Sequence, residues 1–198
     1  MPLNIKPSSG SGSVTIAATT GTTTNDTLTL PAKTGNIITS ADSGTVTQTM
    51  LASNVAGNGP AFFAYQSGSS QTISNATYTK VRLDAESYDT ANCFDSSTNY
   101  RFTPNVAGYY QITAGARLSG TSPTLYVWAI YKNGSMIIGN NVNSNVSTYD
   151  ARAVGGLISM NGTTDYLELY AYISASSGQT IEANSAYTFM CGFLARTA

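Results

Sequence analysis

Between Met1 and Ala61 the chain holds no Phe, Tyr or Trp; every aromatic residue lies between Phe62 and Phe193. A long stretch without aromatics buries too little surface to offset its own ordering entropy. Left alone, such a segment is expected to stay disordered. Its order is therefore expected to come from other chains, either copies wound together or a larger particle that receives it. The local pattern agrees with winding. SVTIAA (13–18), TLTL (27–30) and the run from Gly44 to Thr49 alternate small polar with β-branched or Leu residues, the period of a half-buried strand. Breakers separate these runs, and a glycine-rich hinge follows at 57–59. Side chains this small permit three chains to approach one axis closely. The chain divides accordingly into an anchor or shaft segment, 1–59, and a globular head, 60–198.

Charge narrows the function. Only 10% of the 198 residues are Asp, Glu, Lys or Arg, the net charge is -1, and no charge occurs from Ser43 to Thr79. A nucleic-acid partner needs a basic stripe to displace counterions, so none is expected. The chain has no His, which removes the commonest general base, the triad imidazole and the usual nitrogen ligand of zinc. An enzyme is not expected. No apolar run approaches the ~20 residues that span a bilayer, and the start lacks the apolar core of a signal peptide. Neither membrane insertion nor export is expected. Cys93 and Cys191 carry no CxxC spacing and read as two reduced thiols, with a single bridge between them as the alternative.

From Pro60 onward, short alternating runs are separated by Gly, Asn, Ser and Pro clusters, which is the signal of an all-β sandwich or barrel. GYYQITAGARL places Tyr110, Ile112, Ala114, Ala116 and Leu118 on one face, with Tyr109, Gln111, Thr113, Gly115 and Arg117 opposite. YLELYAYIS places Leu167, Leu169, Ala171 and Ile173 inward, with Tyr166, Glu168, Tyr170 and Tyr172 outward. TLYVWAIY (124–131) is apolar on both faces, so both must be covered. One face suits the core; the other needs a second sheet edge or another subunit.

Two resemblances sharpen this reading. TLTLPAKTGNIITSADSG resembles the short repeat of tail fibres and other virion proteins of tailed bacteriophages. GTVTQTMLASNVAG is similar to another element of those fibres, a turn that precedes the next module. In the head, YRFTPNVAGYYQI resembles the centre of the complement globular-head family, a branch of the tumour-necrosis-factor-like jelly rolls. Phe102, Gly108, Tyr110 and Ile112 take the matching positions, preceded by the pair Phe94 and Asp95 and followed by the turn in IYKNGS. AYTFMCGFLAR is similar to the family's closing strand, with one departure: Met190 replaces an aromatic, or one residue is inserted before Gly192.

The resemblance implies a ten-stranded jelly-roll sandwich that assembles as a homotrimer, preceded by the extended, intertwined β-rich segment. Phe102, Gly108, Tyr110, Ile112, Leu118, Leu167, Leu169, Gly192 and Phe193 are expected in its core. The face of Tyr166, Tyr170 and Tyr172, with Trp128 near it, is expected to form the threefold interface. The alternatives are a tyrosine ladder that stabilises its own sheet and a stacking platform for sugars. No cofactor is expected. Asp84, Glu86 and Asp89 are the weak candidates for calcium, which family members sometimes hold near the trimer apex, although D-x-E-x-x-D is not an EF-hand loop. Two carboxylates among these and Asp95 could also flank a glycosidic bond; the plain alternative is solvated loop carboxylates.

The function expected is that of a virion structural protein made in the host cytoplasm. As a tail fibre its knob would bind a host surface polysaccharide. As a head fibre or capsid decoration it would sit on another virion protein through residues 1–59. Fully extended, that segment reaches at most about 200 Å, a stub rather than a long fibre. The rival of another class is a polysaccharide-cleaving spike.

Overall fold

The structure, a computed structural model, describes Leu51 and residues 57–120, 123–143, 149–175 and 179–198. The strands and winding expected in residues 1–50 lie outside the described residues. Every regular element described is a strand, and all pairings are antiparallel. They are β1 (Ala61–Tyr65), β2 (Gln71–Ile73), β3 (Thr79–Lys80), β4 (Ala85–Asp89), β5 (Phe94–Asp95), β6 (Arg101–Phe102), β7 (Gly108–Gly120), β8 (Leu125–Lys132), β9 (Ser135–Asn143), β10 (Tyr149–Met160), β11 (Leu167–Ser174), β12 (Gln179–Ile181) and β13 (Phe189–Thr197). Three of the thirteen are two residues long, so about ten are strands of ordinary size.

The strands form two sheets. In the first, β10 covers one edge of β7, while β13 and β12 share its other edge. Beyond them β1 and β4 follow β13, and β2 follows β12. The second runs β5-β6-β11-β8-β9, with β3 also on β11. Period-two alternation then sets the core. Tyr110, Ile112, Ala114, Ala116 and Leu118 of β7 face Leu167, Leu169, Ala171 and Ile173 of β11 across the sandwich, and all are buried. Phe62 stacks on Phe102 at 4.2 Å and on Phe94 at 5.3 Å, and Tyr110 meets Phe102 edge-on. The Tyr110 hydroxyl donates to the Val106 carbonyl at 2.8 Å, which satisfies the one polar atom this ring takes inside.

Strand β8 resolves its two apolar faces differently from the expectation. Tyr126, Trp128 and Ile130 point into the core, and Trp128 is wholly buried there. It is therefore no part of an outer interface. Val127 and Ala129 are buried on the opposite face, where their cross-strand partners are Tyr172 and Tyr170. The second covering layer is thus made by the chain's own tyrosines.

Strand β13 brings a second correction. Met190, Gly192 and Leu194 are its inward residues, and Phe193, expected in the core, is 53% exposed. Gly192 fills the inward position because no larger residue fits: a Cβ there would lie 2.8 Å from the Gln111 carbonyl oxygen and 3.3 Å from the Phe62 ring. Pairing is regular from Phe189 to Leu194, so Met190 replaces an aromatic in the core and nothing is inserted before Gly192. The irregularity falls later, between Leu194 and Arg196.

Candidate functional site

Each sheet has one outward face, and the two differ in how they are covered. On the β11–β8–β9 sheet, Tyr131 and Tyr170 pack with centroids 4.2 Å apart, and Tyr78 lies 4.9 Å from Tyr172 and 5.9 Å from Tyr131. Glu168, expected outward, does face outward but is buried beneath Lys80, whose Nζ lies 2.7 Å from its carboxylate and also donates to the Asn99 carbonyl. Burial pushes the Tyr170 hydroxyl above its ordinary pKa, and the neighbouring Glu168 charge adds to that shift. The rings are tilted against one another by 30° to 55°. They cover the small side chains of Val127 and Ala129 and do not lie in one plane. Tyr166 stands apart from this group: the Arg101 guanidinium sits 4.5 Å above its ring, and its amide donates to the Asn133 side chain.

Among the described residues, the outward face of the other sheet has no such cover. Ala61, Phe63 and Tyr65 of β1, Phe189, Cys191 and Phe193 of β13, Gln111 and Thr113 of β7, and Gly155 and Leu157 of β10 lie in register across it. Tyr88 flanks Phe63 on β4, and Tyr109 stands near the start of β7. Phe63 stacks on Phe189 at 5.4 Å, but much apolar surface stays in water. Leu157 is 60% exposed, Tyr88 50% and Tyr109 40%. None of the named positions carries a charge. Gly155, Thr113 and Cys191 form a low middle row, with aromatic residues raised beside it. At one end, Tyr109, Leu157, Arg196, Thr197 and Ala198 line a hollow of about 270 Å³. Sequence reading placed Tyr109 outward but assigned it no role and passed over Leu157, Phe63 and Tyr88. The signal available was the alternation of FMCGFL, once Gly192 is taken as inward.

The carboxylates do not gather. Asp84 accepts from the Ser67 amide at 2.7 Å, the Ser67 hydroxyl and the Gly68 amide, with the Arg82 Nε at 3.6 Å. Burial alone would raise its pKa, but these donors and Arg82 outweigh that and lower it. Asp89 accepts from the amides of Phe94 and Ala91. Asp95 is caged by the amides of Thr98, Ser97 and Asn99 and the side chains of Ser97 and Asn99. The Thr98 amide is the largest influence on it, and its acidity is held far above that of an ordinary Asp. Among the described residues no three His, Cys, Asp or Glu side chains group as metal ligands would. Asp84 and Asp89 are thus each spent on separate loop amides. Cys93 and Cys191 are both free thiols, and burial raises the pKa of each.

No family model matches the chain, and no curated protein matches it. Solved structures do. Murine APRIL at pH 5.0 aligns at TM-score 0.52 and 7% identity, over 68% of this chain and 98% of that one. Eiger TNF from S. frugiperda aligns at 0.50 and 8%, over 70% and 93%. The globular domain of zebrafish complement 1qA protein aligns at 0.47 and 17%, over 70% and 99%. The likeness to APRIL and Eiger shows the fold: the head is a jelly roll of the tumour-necrosis-factor-like kind.

Proposed function

We propose that the chain is a structural protein of a tailed-bacteriophage virion, a homotrimeric short fibre whose jelly-roll knob binds a host surface polysaccharide. The observation that carries self-association is the uncovered apolar face of the β10–β7–β13–β1 sheet. A standard interface takes about 800 Å² from each partner, a little over half of it apolar. Phe193, Tyr88 and Tyr109, each of ~200 Å² and exposed by about half, together with Leu157 put on the order of 400 Å² of largely apolar surface on this face. That is the apolar share one partner supplies. The interface assignment accordingly moves from the tyrosines of β11, which have partners within the chain, to Phe193, Leu157, Tyr109 and Tyr88. The virion assignment rests on the fibre-like runs in residues 20–57. A non-catalytic role fits carboxylates that are spent on loop amides and a chain without His.

Light scattering on the full chain tests the assembly, with the mass of three chains expected and a monomer overturning it. A density map of the intact particle tests the location. Density for residues 1–59 at the tail supports the fibre, whereas density on the shell supports capsid decoration. Purified protein at saturation should block adsorption of phage to host cells; no competition removes the adhesin role. Release of reducing sugar from host polysaccharide would replace it with the spike enzyme.

A further inference from the structure

The tyrosine layer on the outward face of the β11–β8–β9 sheet leaves one ring open to water. The cross-strand rows of that face are Glu168–Tyr131–Met136, Tyr170–Ala129–Gly139, Tyr172–Val127–Asn141 and Ser174–Leu125–Asn143. Tyr78 reaches it from the segment between β2 and β3 and lies against the rings of Tyr172 and Tyr131. Of the four tyrosines it is the most exposed, at 38%. The backbone just before it is held in an uncommon shape. Ala76 takes φ +56°, a left-handed conformation rare for a residue with a Cβ. The Ala76 amide donates to the Ile173 carbonyl at 2.8 Å, and the Asn75 side chain accepts from the Ala175 amide at 3.0 Å. Both contacts tie the segment to the end of β11. Strain fixed by its surroundings in this way gathers where a fold presents a group to a ligand.

Charge and size select the ligand. Glu168 is the one charge in the four rows, and Lys80 neutralises it at 2.7 Å. No row offers a cation to an anionic chain. A protein partner takes about 800 Å² from each side. The Tyr78 side chain, ~200 Å² and open by about two-fifths, offers on the order of 80 Å², too little for a protein. That is enough for the C–H face of one sugar ring, which a tyrosine face removes from water. Sugar hydroxyls need donors and acceptors at the rim. Asn141 and Asn143 are exposed on the same face, and each amide carries both. Two strand spacings, about 10 Å, separate β11 from β9, so a chain of sugars rather than a single one reaches both.

We infer that Tyr78 is the stacking ring of a binding site for a neutral, hydroxyl-rich polysaccharide, with Asn141 and Asn143 of β9 at its polar rim. The inference rests on the adhesin reading and names the surface and the class of ligand.

The test immobilises the full chain and passes over it polysaccharide extracted from host cells, split on an anion exchanger into a neutral and an acidic fraction. The neutral fraction should be retained. Tyr78→Ala should weaken that retention at least tenfold and Asn141→Ala several-fold, whereas Tyr78→Phe should preserve it because the stacking face is unchanged. Far-ultraviolet circular dichroism of all three variants should match the parent, since neither side chain packs in the core. Unchanged retention in Tyr78→Ala overturns the site and leaves the adhesin reading standing. Tighter retention of the acidic fraction overturns the ligand class, as does a parent chain that blocks phage adsorption yet retains neither fraction. A parent chain that retains neither fraction and blocks no adsorption overturns the adhesin reading as well.

Discussion

Gly57 and Gly59 look alike in the sequence, two halves of one hinge, yet the structure uses them for different reasons. Gly57 has φ +87° and nothing within reach of a Cβ, so its role is conformational. A side chain there costs about 1–2 kcal/mol through the left-handed backbone alone. Gly59 is a contact: a Cβ would lie 2.7 Å from the Leu194 Cβ, beside the hydrogen bond from the Leu194 amide to the Pro60 carbonyl. Gly59→Ala should therefore destabilise the head by about 1–3 kcal/mol through overpacking. Urea titration of the Gly57→Ala and Gly59→Ala variants checks this. Asp95 gives a second prediction at this scale. Its folded-state pKa lies below the ordinary value near 3.9, so the stability it adds is present above that pH and is lost as pH falls through the lowered value. Asp95→Asn keeps the shape but removes the charge-assisted bonds. The variant should be less stable than the parent at pH 7, and the gap should close as pH falls below about 3.

Strand β13 shows at the level of one element what alternation decides. Met190 is buried against the β7 side of the core, and Phe193, three residues on, faces water. Met190→Ala should cost about 2–5 kcal/mol of folding stability by opening a cavity. Phe193→Ser should leave the monomer's unfolding midpoint within about 0.5 kcal/mol of the parent and should weaken assembly; denaturant titration paired with sedimentation at several concentrations separates the two. These same elements show what was legible. The phases of β7 and β11 could be read because each has one apolar and one polar-aromatic side, and a one-residue slip would turn the apolar side to water. The turn at Asn133–Gly134 could be read because both residues take positive φ, +53° and +80°, as a two-residue hairpin demands. The phase of β13 was hidden, since FMCGFL is apolar in either phase and only the space taken by Ile112 and Phe62 makes Gly192 the inward residue. The covering of β8 was hidden for a related reason. Val127 and Ala129 lie under Tyr170 and Tyr172, more than forty residues away in sequence, and pattern alone does not say which strand lies beside which. Exposed apolar residues on a partner-seeking face read the same as core in sequence, which is why Phe193 looks inward there and the open apolar face does not stand out.

For the whole molecule, the scarcity of charge becomes a statement about solution behaviour. Without His, no side chain has its ordinary pKa between 5 and 8. Both thiols in the head are pushed upward by burial, away from that window. Folding stability should then be level from pH 5 to 8. The acid limb should open only below about pH 4, as Asp84, Asp95 and Asp165 protonate and release the donors that lower their pKa values. Assembly should be level with salt as well. Among the described residues, Lys80–Glu168, Arg82–Asp84, Arg117–Glu182 and Lys132–Asp165 already pair charges within the head. Between Arg196 at one end and Arg117 at the other, the outward positions named on the β10–β7–β13–β1 sheet carry no charge, which suits a cyclic assembly because symmetry brings every charge near an axis close to its own copies. Contact through apolar surface does not weaken when salt screens charge, and added salt of the kosmotropic kind strengthens it. The dissociation midpoint measured by light scattering should therefore change by less than about twofold between 0.05 and 0.5 M NaCl, and should fall in sodium sulfate. A midpoint that rises steeply with NaCl would show that charge pairs hold the copies together, and would move the interface off this face to the charged loops of the head.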